Sequence, residues 1–139
     1  MPLRVLIDTD VLLDVALERT PFVEDSVAVL NWAETNPGSA FVAWHSISNL
    51  YYVGRRIRSD EVIRDFLHEL LGVVFIPPGA VDAARRALAL PLDDFEDAMQ
   101  VAAGISVRVD LIVTRNLADF HRSPVPAVTP AGMLRRVRV

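Results

Sequence analysis

Acidic and amide side chains recur just after apolar segments and at the starts of helical segments. They are Asp8 and Asp10 after the first apolar segment, Asp94, Glu96 and Asp97 ahead of the fourth, and Asn116 and Asp119 after it. Carboxylates from separate parts of a chain repel one another when they meet, unless a cation lies among them. Oxygen ligands without His or Cys suit Mg²⁺ or Mn²⁺. An ion of this kind can activate water and stabilise a leaving oxygen, so the predicted chemistry is phosphodiester hydrolysis.

A purely structural role is the alternative for part of this cluster. Single Asp residues after strands often cap helices, and Asp10 and Asp94 could equally be such caps. The acids at residues 94–97 would also suit the positive end of a helix dipole. From these residues alone, both interpretations stay open.

Short apolar segments that alternate with helical patterns must position the acids. Strands are predicted at residues 4–7, 40–44, 73–76 and 111–113, with an edge strand at 125–128. Helices are predicted at about residues 11–17, 22–34, 47–57, 59–71, 80–90 and 93–107, with a last one starting at Thr129-Pro130. This alternation predicts an α/β fold with right-handed crossovers and a mostly parallel sheet. Ligands bind at the carboxyl ends of the strands in such sheets, where Asp8 and Asp10 stand.

Length and composition predict a single globular domain over residues 1–139. Hydrophobic residues make up 52% of the chain and charged residues 23%, which excludes a disordered protein. The apolar runs are too short to span a bilayer, so no membrane partner is expected. The absence of Cys excludes disulfides, thiolate metal sites and Cys nucleophiles, and it fits a reducing cytoplasm. The net charge of −4 argues against a uniformly basic surface for non-specific nucleic-acid binding.

Three segments of the chain resemble the motifs of the PIN-domain family, and they occur in the family's order. They are Leu6–Asp10, Asp94–Ala102 and Ile112–Phe120. The resemblance covers essentially the whole chain and is greatest to the small single-domain members that include the VapC-type toxins of bacterial toxin–antitoxin pairs. It implies a three-layer α/β/α sandwich around a mostly parallel sheet of four to five strands. It also implies a Mg²⁺- or Mn²⁺-dependent ribonuclease that is usually a homodimer.

The same resemblance implies roles for individual residues. The first, third and fourth acids of the family fall on Asp8, Asp97 and Asp119, which would bind the metal and generate the attacking hydroxide. Asn116 takes the supporting polar position beside Asp119. Thr114 matches a small hydroxyl residue that lines the same site and would contact the substrate.

The sequence departs from the family at the second acid. Where the family places Glu ahead of a Leu-Tyr-Tyr-like segment, this chain has Asn49. An amide oxygen can coordinate a hard cation but brings no negative charge. We therefore expect weaker metal binding, or a compensating charge from Asp94 or Glu96. Asp94 is a further candidate ligand, while Asn49 and Asn116 would orient ligands or substrate.

Several other side chains have both a functional and a structural interpretation. Arg55 and Arg56, in the densest basic stretch, would either track an RNA backbone towards the acids or form a solvated face. Ser46 is expected to cap a helix and is a further candidate for substrate binding. His45 is expected to be an interior residue satisfied by hydrogen bonds, with a catalytic acid–base as the alternative. Packing roles are expected for Trp32, Trp44, Tyr51 and Tyr52, with the two tyrosines also at a dimer interface.

Two functions from different classes follow from these residues. The first is an endoribonuclease that acts as the toxin of a toxin–antitoxin pair and is blocked by a small antitoxin protein. The second is a PIN-like domain that has lost catalysis and binds RNA or protein. Asn49 favours the second. The acids Asp8, Asp97 and Asp119 favour the first, because a dead site has no physical reason to keep carboxylates that repel one another.

Overall fold

Within the described residues, four parallel strands form one sheet. They are β1 (Val5–Ile7), β2 (Ala40–Phe41), β3 (Leu111–Val113) and β4 (Ala127–Val128), in the spatial order β2-β1-β3-β4. The computed structural model describes residues 2–138, so the two ends of the predicted domain, residues 1 and 139, lie outside the described residues. Because the strands are parallel, their carboxyl ends meet at one edge, where Asp8 follows β1 and Thr114 follows β3.

Seven α-helices surround the sheet in this part of the chain. They are α1 (Thr9–Ala16), α2 (Val23–Thr35), α3 (Trp44–Gly54), α4 (Asp60–Leu71), α5 (Val81–Ala89), α6 (Phe95–Ser106) and α7 (Pro130–Val137), with a 3-10 helix at Leu117–Phe120. The α/β fold with a mostly parallel sheet is therefore confirmed. Among residues 2–138, no helix combines the length and apolar character needed to cross a bilayer.

The alternation of side chains along the strands produces two apolar layers. Val5 and Ile7 of β1 point to one face of the sheet, where they pack with residues of α1, α2, α3 and α7. Leu6 points to the other face and packs with Ile112 of β3 and Val101 of α6. Successive strand residues face opposite sides, so a strand buried throughout needs helices on both faces. The result is the helix–sheet–helix sandwich that the resemblance implies.

The strand predicted at residues 73–76 is wrong in extent, because only Phe75 pairs, in one parallel bridge with Phe41. The amides of Val73 and Val74 still donate to the carbonyl of Leu70 at the end of α4, at 2.9 and 3.0 Å. Residues 77–78 are both Pro and have no amide hydrogen to donate. Backbone pairing with β2 is thus restricted to a single residue.

The strand predicted at residues 40–44 ends early because α3 begins at Trp44. A spacing of four puts Ser46, Leu50 and Gly54 on the buried face of α3. Ser46 therefore lies inside the helix and does not cap it. Trp44 points away from that face and is 72% exposed, so its predicted place in the core is wrong. Tyr52 is likewise 67% exposed.

The two candidate helix caps among the acids have different outcomes. The carboxylate of Asp94 accepts the amide hydrogen of Asp97 at 3.0 Å and caps α6. Asp10, in contrast, lies in the first turn of α1 rather than at its cap position, which Asp8 occupies. Asp8 makes no capping bond, because its carboxylate is directed towards other partners at the sheet edge.

Candidate active site

A cleft of about 240 Å³ opens at the carboxyl edge of the sheet. Its polar lining residues are Asp8, Thr9, Asp10, Asn49, Glu96, Asp97, Gln100, Asn116 and Asp119. The five residues predicted to be catalytic, namely Asp8, Asn49, Asp97, Asn116 and Asp119, all line it. Helices α1, α3 and α6 and the segment after β3 each contribute, so residues from across the chain converge on this edge.

Asp8 is the most deeply held carboxylate of the cleft, with 4% of its surface exposed. Gln100 donates to its Oδ1 at 2.9 Å, and the Thr114 hydroxyl donates to its Oδ2 at 2.7 Å. Burial raises the pKa of Asp8 above its usual value, the hydrogen bonds from Thr114 and Gln100 oppose that rise, and the charge of Asp10 adds to it. Asp8 is thus fixed in orientation at a place where a cation would be favourable.

The hydrogen bonds of Asp8 continue into the surrounding backbone. The amide of Thr9 donates to the Gln100 side-chain oxygen at 3.2 Å, and the amide of Asn116 donates to the Thr114 hydroxyl at 3.0 Å. These bonds tie the end of β1 to α6 and to the segment after β3. Thr114, predicted to line the site and contact the substrate, is fully buried behind the cleft, and its direct partner is Asp8.

Asp97 is half-buried among four other carboxylates. Burial is the largest cause that raises its pKa to about 7, and the charges of Asp94, Asp8, Asp119 and Asp10 raise it further. A group in this state holds a proton near neutral pH unless positive charge arrives. A cation bound in the cleft would therefore stabilise the ionised form of Asp97 in particular.

The raised pKa of Asp97 predicts a pH-dependent stability in metal-free protein. The unfolded chain releases this proton near pH 4, whereas the folded chain keeps it up to about pH 7. The folded state thus binds more protons between these values, and the free energy of unfolding falls as the pH rises through this window. We expect a loss of about 1–2 kcal/mol, well under the full value of the shift, because solvent screens a half-buried group.

Urea unfolding in EDTA at pH 5 and pH 8 measures this loss. Asp97→Asn cannot titrate and should lose less stability than the wild type between the two pH values. Parallel pH profiles for the two proteins would contradict the assignment to Asp97.

Two amide side chains each hold a carboxylate of the cleft. The Asn49 side-chain amide donates to Glu96 Oε2 at 3.1 Å, and the Asn116 side-chain amide donates to Asp10. Asn49 and Asn116 therefore each restrain one carboxylate of the cleft, and their predicted role in orienting metal ligands or substrate stays a prediction. The acids that they orient are Glu96 and Asp10, which had not been predicted as ligands.

The donor set of the cleft fits a hydrated hard cation. Among residues 2–138, no group of three or more His, Asp or Glu side chains is arranged to hold a metal ion directly. Mg²⁺ commonly keeps several of its waters and binds proteins through one or two carboxylates, so such a group is not required. The carboxylates of Asp8, Asp97 and Asp119 share one cleft, and a divalent ion would offset much of their mutual repulsion.

Five other predicted site residues, among them the fully buried Thr114, do not line this cleft. Asp94 lies in an adjoining pocket of about 80 Å³, with Asp119, His121 and Arg122. Arg55 donates to Asp60 at 2.9 Å, and Arg56 is exposed near the end of α3. Ser46 is fully buried and accepts a hydrogen bond from the Thr9 hydroxyl at 2.7 Å, which supports the α1–α3 contact.

The sequence interpretation missed Gln100, and it named Glu96 only as a charge that could compensate for Asn49. Gln100 follows Asp97 by three residues on α6, a spacing that places both on one helix face, and this signal could have revealed it. His45, expected to be satisfied by hydrogen bonds, has a buried Nε2 without a hydrogen-bond partner among the described residues. Burial lowers the pKa of His45, and the nearby Glu96 charge opposes this.

The family of the chain is decided by its match to a family model described as PIN domain, over residues 4–118. The chain belongs to the PIN-domain family. No curated protein matches its sequence closely enough to be called similar.

Several solved structures share the PIN fold of this chain. VapBC2 from Rickettsia felis, bound to a promoter DNA fragment, is 13% identical with a TM-score of 0.72, over 91% of this chain and 98% of that one. A toxin–antitoxin complex from Klebsiella pneumoniae is 22% identical with a TM-score of 0.68, over 91% and 97%. VapC20 from Mycobacterium tuberculosis, a sarcin–ricin loop cleaving toxin, is 14% identical with a TM-score of 0.63, over 78% and 86%.

Proposed function

We propose that this PIN domain is a divalent-metal-dependent endoribonuclease and the toxin of a type II toxin–antitoxin pair. The observation that carries the proposal is the convergence of Asp8, Asp97 and Asp119 on one cleft at the carboxyl edge of the sheet. Carboxylates kept this close cost free energy in the absence of a cation, as the raised pKa of Asp97 shows. The likeness to toxins, one of which cleaves the sarcin–ricin loop, supports RNA as the substrate.

In this proposal Asp8, Asp97 and Asp119 hold Mg²⁺ or Mn²⁺, with Asp94 a further candidate. The ion supplies activation of water and neutralisation of charge on the scissile phosphate. Thr114 and Gln100 fix the orientation of Asp8, and Asn116 fixes that of Asp10.

RNA enters the proposal through residues around the cleft. Arg56, exposed beyond the end of α3, is available to a phosphate backbone, whereas Arg55 would first have to leave Asp60. Val53, one turn earlier on the same helix, lines the cleft, so the basic stretch lies next to it in sequence. Ser46 is enclosed, and its part in substrate binding is the least supported.

The protein partner in this proposal is a small antitoxin, because several similar structures are toxin–antitoxin complexes. We further propose a cytoplasmic homodimer. The exposed Trp44 and Tyr52 border a groove of about 510 Å³, which supports the presence of a protein contact on that side of α3.

Cleavage of labelled structured RNAs tests the nuclease. We expect the purified protein, freed of bound antitoxin, to cut RNA with Mg²⁺ or Mn²⁺ and to stop in EDTA. A folded sample that cuts no RNA at any metal concentration would overturn the proposal. It would favour the second candidate, a PIN domain that binds RNA or protein without catalysis, to which the uncharged Asn49 points.

A further inference from the structure

Three of the five carboxylates that line the cleft accept hydrogen bonds from neutral side chains of other elements. Gln100 and Thr114 hold Asp8, Asn116 holds Asp10, and Asn49 holds Glu96. Outer partners of this kind fix ligands in orientation and are typical of metal sites. Glu96 thus shares the arrangement of Asp8 and Asp10.

Glu96 and Asp94 differ in where their carboxylates are directed. Asp94 accepts the amide hydrogen of Asp97 as the cap of α6, and it lies in the adjoining pocket. Glu96 lines the carboxylate cleft itself, across from α3, and its Oε2 is bonded to Asn49 at 3.1 Å. Of the two acids next to Asp97 that could add charge to the cleft, geometry favours Glu96.

We propose that Glu96 is a metal-binding carboxylate of the cleft and that Asn49 is its positioning residue. This inference rests on the proposed metal-dependent nuclease. On the side of the cleft formed by α3, the negative charge then comes from Glu96 of α6. The neutral side-chain amide of Asn49 on α3 holds that carboxylate in place. Asn49 then contributes to the site through a hydrogen bond rather than through coordination.

The position of Glu96 on its helix agrees with this role. It occupies the first turn of α6, next to Asp97, and its side chain is exposed to solvent at the mouth of the cleft. One oxygen is bonded to Asn49, which leaves the other for an ion or for a water bound to it. A hydrated cation held by Asp8 and Asp97 would therefore meet a third carboxylate at this side.

Calorimetric titration of Mn²⁺ into full-length protein tests the assignment independently of activity. We expect Glu96→Gln to weaken Mn²⁺ binding by about tenfold, the lower end of the effect of removing partners at metal sites. Asn49→Ala should weaken it by less. The double variant Asn49→Glu with Glu96→Gln moves the charge across the same hydrogen bond, and it should recover affinity to within about threefold of the wild type.

A matched control comes from α2, whose first turn carries Glu24 and Asp25 as α6 carries Glu96 and Asp97. Glu24→Gln removes the same charge from the same helix position away from the cleft and should leave Mn²⁺ binding unchanged. Urea unfolding of each variant establishes that the samples are folded.

The outcomes separate this inference from the proposed function. If the wild type cuts RNA with metal and Glu96→Gln binds Mn²⁺ as the wild type does, the assignment of Glu96 is overturned and the nuclease stands. If Glu24→Gln weakens Mn²⁺ binding as much as Glu96→Gln does, the loss comes from the net charge of the protein and not from the cleft, and the assignment is again overturned. If the wild type neither binds Mn²⁺ nor cuts RNA, both proposals fall.

Discussion

Asp97→Asn is expected to lose metal-dependent RNA cleavage by about 100-fold or more, since loss of even outer partners costs roughly 10- to 100-fold at metal sites. Asp97 is half-buried, and Asp8, Asp10, Asp94 and Asp119 all act on its charge. A neutral amide of nearly the same shape preserves the packing of α6 and removes one carboxylate from the centre of the cluster. The same change should therefore weaken Mn²⁺ binding.

The stability of the metal-free variant should move in the opposite direction. Asn carries no charge to be desolvated or repelled, so the free energy of unfolding in EDTA at pH 8 should rise above that of the wild type by about 1–2 kcal/mol, discounted for solvent screening. Excess Mn²⁺ should reduce this advantage, because the ion stabilises only the state that binds it.

Asp25→Asn is the matched control for this variant. Asp25 occupies the same first-turn position of α2 as Asp97 does of α6, and it is exposed. It should change neither cleavage nor metal affinity. An Asp97→Asn protein that still cleaves RNA at the wild-type rate would remove Asp97 from the catalytic set, whatever its stability.

The convergence of the acids could be predicted from the sequence because it follows from topology. Parallel strands end at one edge, so residues after β1 and β3 must approach each other, and Asp10 and Asn116 do so. The strands themselves could be predicted, because each one lies in a short apolar segment of the sequence. Where the helix began after β2 was not visible, since residues 40–44 are all apolar and only the packing of Leu50 and Gly54 places the start of α3 at Trp44.

The partners of the acids could not be predicted, because they are distant along the chain. Gln100 and Asp8 are 92 residues apart, and Asn49 and Glu96 are 47 apart. No local period or spacing in the sequence links the two residues of such a pair. Each side chain, taken by itself, is equally compatible with a helix-surface or capping role. The same limit applies to Asp14 and Arg115, 101 residues apart, which form the most deeply buried ion pair of residues 2–138.

Asp14→Asn is expected to lower the free energy of unfolding by about 2–4 kcal/mol, because it leaves a charge without its partner in a mostly buried place. Asp14 is fully buried in α1. Arg115 donates to both of its oxygens, at 2.6 and 3.2 Å, and the Arg19 guanidinium lies 3.6 Å away. The Arg115 guanidinium also stacks 4.1 Å from the centre of the Phe22 ring.

An exposed acid with two Arg partners provides the contrast. Asp60 on α4 binds Arg55 at 2.9 Å and Arg64 at 2.7 Å, but its side chain is 41% exposed. Asp60→Asn should lower the free energy of unfolding far less than Asp14→Asn does, because water replaces much of what the ion pairs provide. Urea unfolding of both variants measures the difference, and equal losses would contradict the importance assigned to burial.

The Asp14–Arg115 pair also links the stability of the fold to the geometry of the cleft, because Arg115 lies between Thr114 and Asn116 in the chain. Those two residues hold Asp8 and Asp10, so a displaced Arg115 would disturb both acids at once. We therefore expect Asp14→Asn to reduce Mn²⁺ affinity as well as stability, although Asp14 does not line the cleft. The double variant Asp14→Asn with Arg115→Met should lose less stability than the sum of the single changes, since it removes the unpaired cation. Additive losses would show that Asp14 and Arg115 act separately, and the cleft would then depend on Asp14 through α1 alone.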